Sequence, residues 1–181
     1  MSLKLIGYSR KRGVVTHPYP KQPIEVDEHY RGKPELEFEK CMGCGACANA
    51  CPADAITIET LLEKGVREWS IYYGRCIFCG RCQEVCPLTA ITLTQEFELA
   101  ATSREDLMVR AEFKLAACSE CGATMDITER QIAVARAILS CSRELPDLEA
   151  LLEAARVCSE CKRKSTAEKI IEATKAYGGG V

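Results

Sequence analysis

Eight cysteines in the first half of the chain form two runs with the same spacing. Each run reads C-x2-C-x2-C-x3-C-P and offers four thiolates, the ligand type that iron–sulfur clusters use. The runs comprise Cys41, Cys44, Cys47 and Cys51 before Pro52, and Cys76, Cys79, Cys82 and Cys86 before Pro87. This spacing predicts two 4Fe-4S clusters whose chemistry is one-electron transfer.

The last cysteine of each run starts a segment that points away from its own loop, so we predict that it completes the cluster of the other run. The predicted ligand sets are Cys41, Cys44, Cys47 and Cys86 for the first 4Fe-4S cluster, and Cys76, Cys79, Cys82 and Cys51 for the second. We expect this crossed ligation to place the two clusters close together. A zinc site is disfavoured here, because zinc ligands come as paired knuckles.

Two further C-x2-C pairs lie near the C-terminal end, Cys118 with Cys121 and Cys158 with Cys161. Four thiolates form the tetrahedral set that zinc prefers, and a rubredoxin-like mononuclear iron is the alternative. Because such coordination is closed to substrate, a catalytic metal is not expected. Cys141 is left over, and we expect it to be a small buried residue near a helix end, with a role as substitute ligand as the alternative.

Composition supports a globular protein that keeps its cysteines reduced. The chain has 181 residues, 13 of them cysteine, and a formal net charge of -2. An odd count prevents complete disulfide pairing, and nothing near Met1 indicates secretion, so a secreted disulfide scaffold is not expected. We expect no membrane crossing, because no apolar run approaches about 18 residues. The basic run 162–164 lacks interleaved aromatics, so solvated surface is favoured over nucleic-acid binding.

An internal repeat underlies the cysteine runs. Residues 41–58 align with 76–93 without a gap, and nine of the eighteen positions are identical. Five of those identities are not cysteines, which indicates a duplicated structural unit. Among them, Gly45 and Gly80 are expected to let backbone amides approach the cluster. Between the copies, the apolar residues that surround Gly65 predict a hairpin.

The elements that position these cysteines predict an α+β fold of three parts. Residues 1–35 are expected to form an extended N-terminal docking arm, with a disordered tail as the alternative, and residues 36–100 a two-cluster bacterial-type ferredoxin domain. Residues 101–181 are expected to form a helical extension that carries the zinc-ribbon-like metal site. Three helices are predicted there, from capping boxes at 128–131 and 165–168, Pro146 at a first helical position and a stop at 178–180.

Residues outside the cysteine runs carry a family resemblance. These are Tyr19-Pro20, the segment 30–34 (YRGKP) and the segment 95–100 (QEFELA). Together with the runs, they resemble the two-cluster ferredoxin subunit shared by respiratory complex I and the membrane-bound group 4 NiFe hydrogenases. The two C-terminal knuckles make the chain most similar to the formate hydrogenlyase type of this subunit.

The resemblance implies an electron relay within a membrane-associated hydrogenase complex on the cytoplasmic face of the membrane. Its expected partners are an electron-input subunit and a neighbouring iron–sulfur small subunit, with no substrate-turnover site on this chain. The electron donor stays open between formate, carbon monoxide and ferredoxin. The alternatives are a freestanding soluble ferredoxin, a complex I-type quinone oxidoreductase subunit, and a zinc-ribbon interaction module whose clusters sense redox state.

Overall fold

A computed structural model describes residues 3–141 and 147–177. The chain divides into two compact units, Met1–Tyr30 and Arg31–Val181. The first unit contains helix α1 (Leu3–Arg12), so the prediction of an extended arm is wrong for those residues. The helix ends in three basic residues, which suit the negative end of the helix dipole. Gly13 follows at φ 63° and donates its N–H to the Ser9 carbonyl at 3.2 Å, which closes the last turn.

The second unit begins with the two repeats, which fold alike. Each repeat has a cysteine loop, a single-turn helix and a short strand. These elements are α2 (Ala46–Asn49) and β2 (Ile56–Leu61) in the first copy, and α3 (Arg81–Glu84) and β4 (Ile91–Leu93) in the second. Strand β1 (Pro34–Leu36) pairs antiparallel with β4, with Glu35 opposite Thr92. The segment before the first repeat is therefore anchored to the end of the second.

The predicted hairpin between the repeats is confirmed. Strand β3 (Val66–Tyr72) runs antiparallel to β2, with Ile56 opposite Ile71. Gly65 supplies the positive φ, 67°, that the connecting turn requires. Arg67, Trp69 and Ile71 alternate along β3 and are buried, so one face of this strand points into the core.

The prediction of a helical extension from residue 101 is wrong for its first part. Strand β5 (Met108–Ala117) pairs antiparallel with β3, and β6 (Thr124–Thr128) pairs with β5. The second sheet therefore has the order β2-β3-β5-β6 and runs across the predicted boundary at residue 100. Sequence reasoning missed β5 because its alternating burial, with Phe113 and Leu115 inside, depends on the exposed edge of β3.

The three predicted helices are present as α4 (Glu129–Ser140), α5 (Leu148–Ala155) and α6 (Ser159–Tyr177). The capping box at Thr128 is confirmed: its hydroxyl accepts from the Gln131 N–H, and the Gln131 side chain accepts from the Thr128 N–H. The second predicted capping box is wrong, since residues 165–168 lie inside α6. Pro146 and the stop at 178–180 lie outside the described residues.

Among its described residues, the second unit has two hydrophobic clusters. The larger contains Trp69, Ile71, Ile91 and Phe113 together with Cys82, and four other repeat cysteines pack against it: Cys41, Cys47, Cys51 and Cys86. The smaller contains Ala116, Cys118, Met125 and Ile132, with Cys158 and Cys161 packed against it. Each cluster therefore lies beside a set of cysteines. Within the described ranges, no helix combines the length and apolar character needed to cross a membrane.

Candidate metal centres

The structure brings the repeat cysteines together in two groups of four. Site I has Cys41, Cys44, Cys47 and Cys86 along the lining of one cavity. Site II has Cys51, Cys76, Cys79 and Cys82 along the lining of a second cavity. Each cavity thus takes three thiols from the loop of one repeat and a fourth from the end of the other. These groups coincide with the two predicted ligand sets.

Backbone amides point at the sulfur atoms at equivalent positions of the two repeats. In each copy, the first cysteine accepts from the amide two residues later and the fourth from the amide four residues later. The bonds run from Gly43 to Cys41 (3.4 Å), Phe78 to Cys76 (3.4 Å), Ala55 to Cys51 (3.3 Å) and Ala90 to Cys86 (3.1 Å). Such N–H groups stabilise negative charge on sulfur, so both sites suit metal-bound thiolates.

Gly45 and Gly80 are required by the conformation of the two loops. Their φ angles are 79° and 80°, in the left-handed region that residues with a Cβ rarely adopt. A Cβ on Gly45 would lie 3.4 Å from the Ile58 side chain, and one on Gly80 would lie 3.1 Å from Leu93. The glycines therefore allow each loop to turn tightly against the strand of its own repeat.

The electrostatics of both sites disfavour free thiolates. Burial raises the pKa of Cys41, Cys47 and Cys76, and raises the pKa of Cys82 to about 11. Neighbouring thiols act in the same direction, since like charges so close together repel one another. At neutral pH, metal binding must therefore displace protons from these thiols, and the metal's positive charge would offset the repulsion.

Site I has additional side-chain contacts that sequence reasoning missed. Trp69 Nε1 donates to Cys47 Sγ at 3.3 Å, and Arg67 Nη1 donates to the Gly43 carbonyl at 3.0 Å. Thr128 Oγ1 donates to the Met42 carbonyl at 2.7 Å, and Arg130 Nη1 to the Cys41 carbonyl at 3.0 Å. The sequence did contain a signal for Arg67 and Trp69: they alternate with Ile71 along the strand, which predicts that all three side chains lie on the same face. Thr128 and Arg130 reach site I only through the fold.

The loop of site II is more exposed than the loop of site I. Ile77, in the middle of its loop, is 62% exposed. Arg31, an exposed residue ahead of the first repeat, donates from Nη1 to the Cys79 carbonyl at 3.4 Å. The hydrogen bonds that reach the sulfurs of Cys51, Cys76 and Cys82 come from backbone amides. The two sites thus share a backbone frame and differ in what surrounds it.

The four C-terminal cysteines form a third group, with all Sγ atoms within 4.8 Å of one another. The Sγ atoms of Cys118 and Cys161 are 4.0 Å apart, and those of Cys121 and Cys158 are 3.7 Å apart. A metal with sulfur bonds of about 2.3 Å in a tetrahedron needs sulfurs about 3.8 Å apart. Backbone N–H groups of Cys121 and Cys158 lower the pKa of Cys118, whereas hydrogen bonds from the Cys158 and Cys121 thiols raise the pKa of Cys161. Four thiols that compete for protons at such short distances fit a cation that would replace those protons.

Two turns assemble this third group. Cys118 and Cys121 flank the turn from β5 to β6, where Gly122 has φ 74° and donates to the Cys118 carbonyl at 3.0 Å. Cys158 and Cys161 lie where α5 gives way to α6, and the Cys158 N–H donates to Cys118 Sγ at 3.2 Å. The helices α4 and α5 fill the long spacer between the knuckles.

Cys141 belongs to none of the three groups. It is the C-cap of α4 and is exposed, so the prediction of a buried core residue is wrong. The reason is that α4 packs through its first half, where Ile132 is buried, whereas Ile138 is 63% exposed. The alternative of a substitute ligand is not supported either, because the third group consists of the two knuckles.

Known proteins resemble this chain over the region of the two sites and beyond it. The model of the 4Fe-4S dicluster domain matches residues 40–90. Formate hydrogenlyase subunit 6 of Escherichia coli (strain K12) is 45% identical over 154 residues, which cover 85% of this chain and 84% of the relative. NAD(P)H-quinone oxidoreductase subunit I from the chloroplast of Daucus carota is 43% identical over 98 residues, which cover 51% of this chain and 60% of the relative.

A solved structure also matches part of the chain. It belongs to the membrane-bound sulfane sulfur reductase, an archaeal respiratory membrane complex. The match has 34% identity and a TM-score of 0.44, and it covers 59% of this chain and 58% of the other.

Proposed function

The chain belongs to the family of formate hydrogenlyase subunit 6, and from this premise we propose that it is an iron–sulfur electron-transfer subunit of a membrane-associated hydrogenase complex. The observation that carries the proposal is the grouping of eight thiols into two cavities, each completed by a cysteine from the other repeat. Two 4Fe-4S clusters bound there would supply one-electron transfer. In this scheme Cys41, Cys44, Cys47 and Cys86 hold one cluster, and Cys51, Cys76, Cys79 and Cys82 hold the other.

The residues around the thiols support a relay rather than a purely structural role. Cys47 of site I is close enough to Cys82 of site II for its charge to contribute to the raised pKa of the Cys82 thiol. Short separation favours electron exchange between two centres. Apolar side chains such as Ile91 and Trp69 line the inner sides of site I and keep water away from it. A single centre would meet the need for metal stabilisation in so small a module.

We propose that the third group binds zinc, with a mononuclear iron as the alternative, in a zinc-ribbon-like site. Its role is structural, because four protein thiols leave no position for a substrate. The site ties the β5–β6 turn to the start of α6, and the β6–α4 junction in turn contacts the loop of site I through Thr128 and Met42. A metal in the third group would therefore hold the protein layer that covers site I.

The proposed partners are an electron-input subunit and a neighbouring iron–sulfur subunit, on the cytoplasmic face of a membrane. The first unit, Met1–Tyr30, is proposed as the docking segment, supported by its division from the rest of the chain and by the basic end of α1. A complex I-type subunit is less well supported, because that relative matches about half of this chain and the formate hydrogenlyase relative matches 85%. A freestanding ferredoxin needs neither the first unit nor the third group.

Metal and acid-labile sulfide analysis of the anaerobically purified chain tests the cofactors. We expect about eight iron and eight sulfide with one zinc. About nine iron without zinc would replace the zinc with a mononuclear iron. A chain with zinc alone would contradict the electron-transfer function.

Hydrogen-coupled turnover of the assembled complex tests the relay. Cys79→Ala removes a proposed ligand of site II, and we expect turnover to be lost while the complex still assembles. Cys141→Ala is the matched control, because this thiol is exposed and outside all three groups. Undiminished turnover in Cys79→Ala would contradict the proposal.

A further inference from the structure

One tryptophan side chain distinguishes the sulfurs of site I from those of site II. Trp69 is 1% exposed, and its Nε1 donates to Cys47 Sγ at 3.3 Å. An N–H that donates to a sulfur stabilises negative charge on that sulfur. Because water cannot reach the buried indole, the hydrogen bond acts at nearly full strength.

Arg67 adds a buried positive charge on the same face of β3. Its side chain is 10% exposed, and its Nη1 donates to the Gly43 carbonyl at 3.0 Å, within the loop of site I. The guanidinium also pairs with Asp126, whose side chain is 70% exposed. The buried guanidinium therefore presents its charge to the loop at hydrogen-bond distance, whereas the exposed carboxylate is screened by water.

Site II lacks a matching arrangement in the part of the chain that the structure describes. Arg31, which contacts the Cys79 carbonyl, is exposed. Arg81, next to Cys82, is 58% exposed and paired with Glu84 on the same helical turn. Charges in contact with solvent are screened by water and salt, so they act weakly on a neighbouring centre.

We propose that Trp69, assisted by Arg67, makes site I the more easily reduced of the two sites. The inference rests on the proposed function, since it requires a cluster at each site. Reduction adds one negative charge, and hydrogen bonds to sulfur together with nearby positive charge favour the reduced state. An electron that enters at site II therefore passes to site I. The cluster at site II is oxidised, the cluster at site I is reduced, and no proton moves.

Isotope labelling tests the contact without any substitution. The chain contains one tryptophan, so ¹⁵N-indole tryptophan labels Trp69 alone. In the anaerobically purified, partly reduced chain, we expect pulsed EPR to show ¹⁵N coupling in the signal that appears first, at the higher potential. Coupling in the later signal, or none in a chain with about eight iron, would overturn the inference. A chain without iron would instead overturn the proposed function.

Potentiometric titration then measures the effect of the hydrogen bond. Trp69→Phe removes the N–H and keeps an aromatic ring, and we expect the ratio of electron occupancy between site I and site II to fall about three- to tenfold. Tyr73→Phe is the matched control, because it removes a buried hydroxyl that donates to the Pro34 carbonyl at 2.8 Å and not to a sulfur. An unchanged ratio in Trp69→Phe would overturn the inference. If Trp69→Phe loses iron, the labelling result decides.

Discussion

Sites I and II have nearly the same backbone and different surroundings. The repeat places equivalent amides on equivalent sulfurs, and it gives Asp54 and Thr89, which align with each other, φ angles of 47° and 49°. The residues that separate the sites are not in the repeat at all. Trp69 and Arg67 come from the connecting hairpin, and Thr128 comes from the junction of β6 with α4. Duplication thus supplies ligand geometry, and the added segments supply the environment.

Segments that follow the second repeat cover the loop of site I. Phe113 of β5 is 2% exposed, stacks on Phe38 at 5.2 Å between ring centroids, and would lie 3.0 Å from a Cβ on Gly43. Arg130 lies over the Phe38 ring at 4.2 Å. The C-terminal segments therefore form a wall on the loop of site I, whereas the loop of site II keeps Ile77 exposed.

Removing the proposed metal of the third group should give the largest difference between the two sites. In Cys158→Ser/Cys161→Ser we expect zinc to be lost and the local structure around α6 to open, because structural metals contribute about 10 kcal/mol or more to such sites. Amide hydrogen exchange should then rise in residues 41–45 and stay low in residues 76–80. The single variant Cys141→Ser is the control. Equal exchange in both loops would show that the third group does not support site I.

Truncating Phe113, which packs on the loop of site I, should have the next largest effect on stability. Phe113→Ala removes a buried ring, and we expect the free energy of unfolding to fall by about 3–5 kcal/mol, with iron lost first from site I. Anaerobic denaturant titration followed by iron analysis measures both quantities. Ile77→Ala, at the exposed loop of site II, should change stability by less than about 0.5 kcal/mol. A stability loss in Ile77→Ala as large as that in Phe113→Ala would contradict the proposed difference between the covered loop of site I and the exposed loop of site II.

Arg67→Met tests the buried guanidinium. This change breaks the hydrogen bond to the Gly43 carbonyl and the ion pair with Asp126, and we expect a loss of about 1.5–3 kcal/mol, the worth of one hydrogen bond from a charged donor. Arg81→Met removes an exposed guanidinium beside site II and should cost at most about 0.5 kcal/mol. Thermal unfolding of the metal-loaded chains compares the two. Similar losses would indicate that solvent screens both groups alike.

Thr128→Val is expected to give the smallest stability loss among the variants that affect site I and leave site II unchanged. The substitution removes the cap of α4 and the hydrogen bond to Met42, which should cost about 0.5–2 kcal/mol. Thr166→Val is the matched control, because its hydroxyl donates to the Lys162 carbonyl within α6. The EPR line shape of site I should change in Thr128→Val alone. A change confined to site II would contradict the assigned contact.

Local signals in the sequence predicted much of the second unit. The cysteine spacing predicted which thiols meet, and the Thr128 capping box and the Gly65 turn predicted a helix start and a hairpin. These features succeed because a few neighbouring residues determine them. The same approach missed α1, where the apolar spacing is irregular. It also predicted a helix start at Ser165, which lies inside α6, because the helix already begins at Ser159 within the preceding cysteine pair.

By itself, the sequence determined the three sets of thiols, the duplicated loops and the family, because ligand spacing and repeats are properties of neighbouring residues. Only the tertiary structure decided that β5 joins the hairpin, that Cys141 is exposed, and that Trp69 and Arg67 face site I. Those outcomes depend on contacts between residues far apart in the chain, such as Thr128 with Met42. The physical reason is that strand pairing and burial depend on the partner surface, and no local pattern specifies that surface.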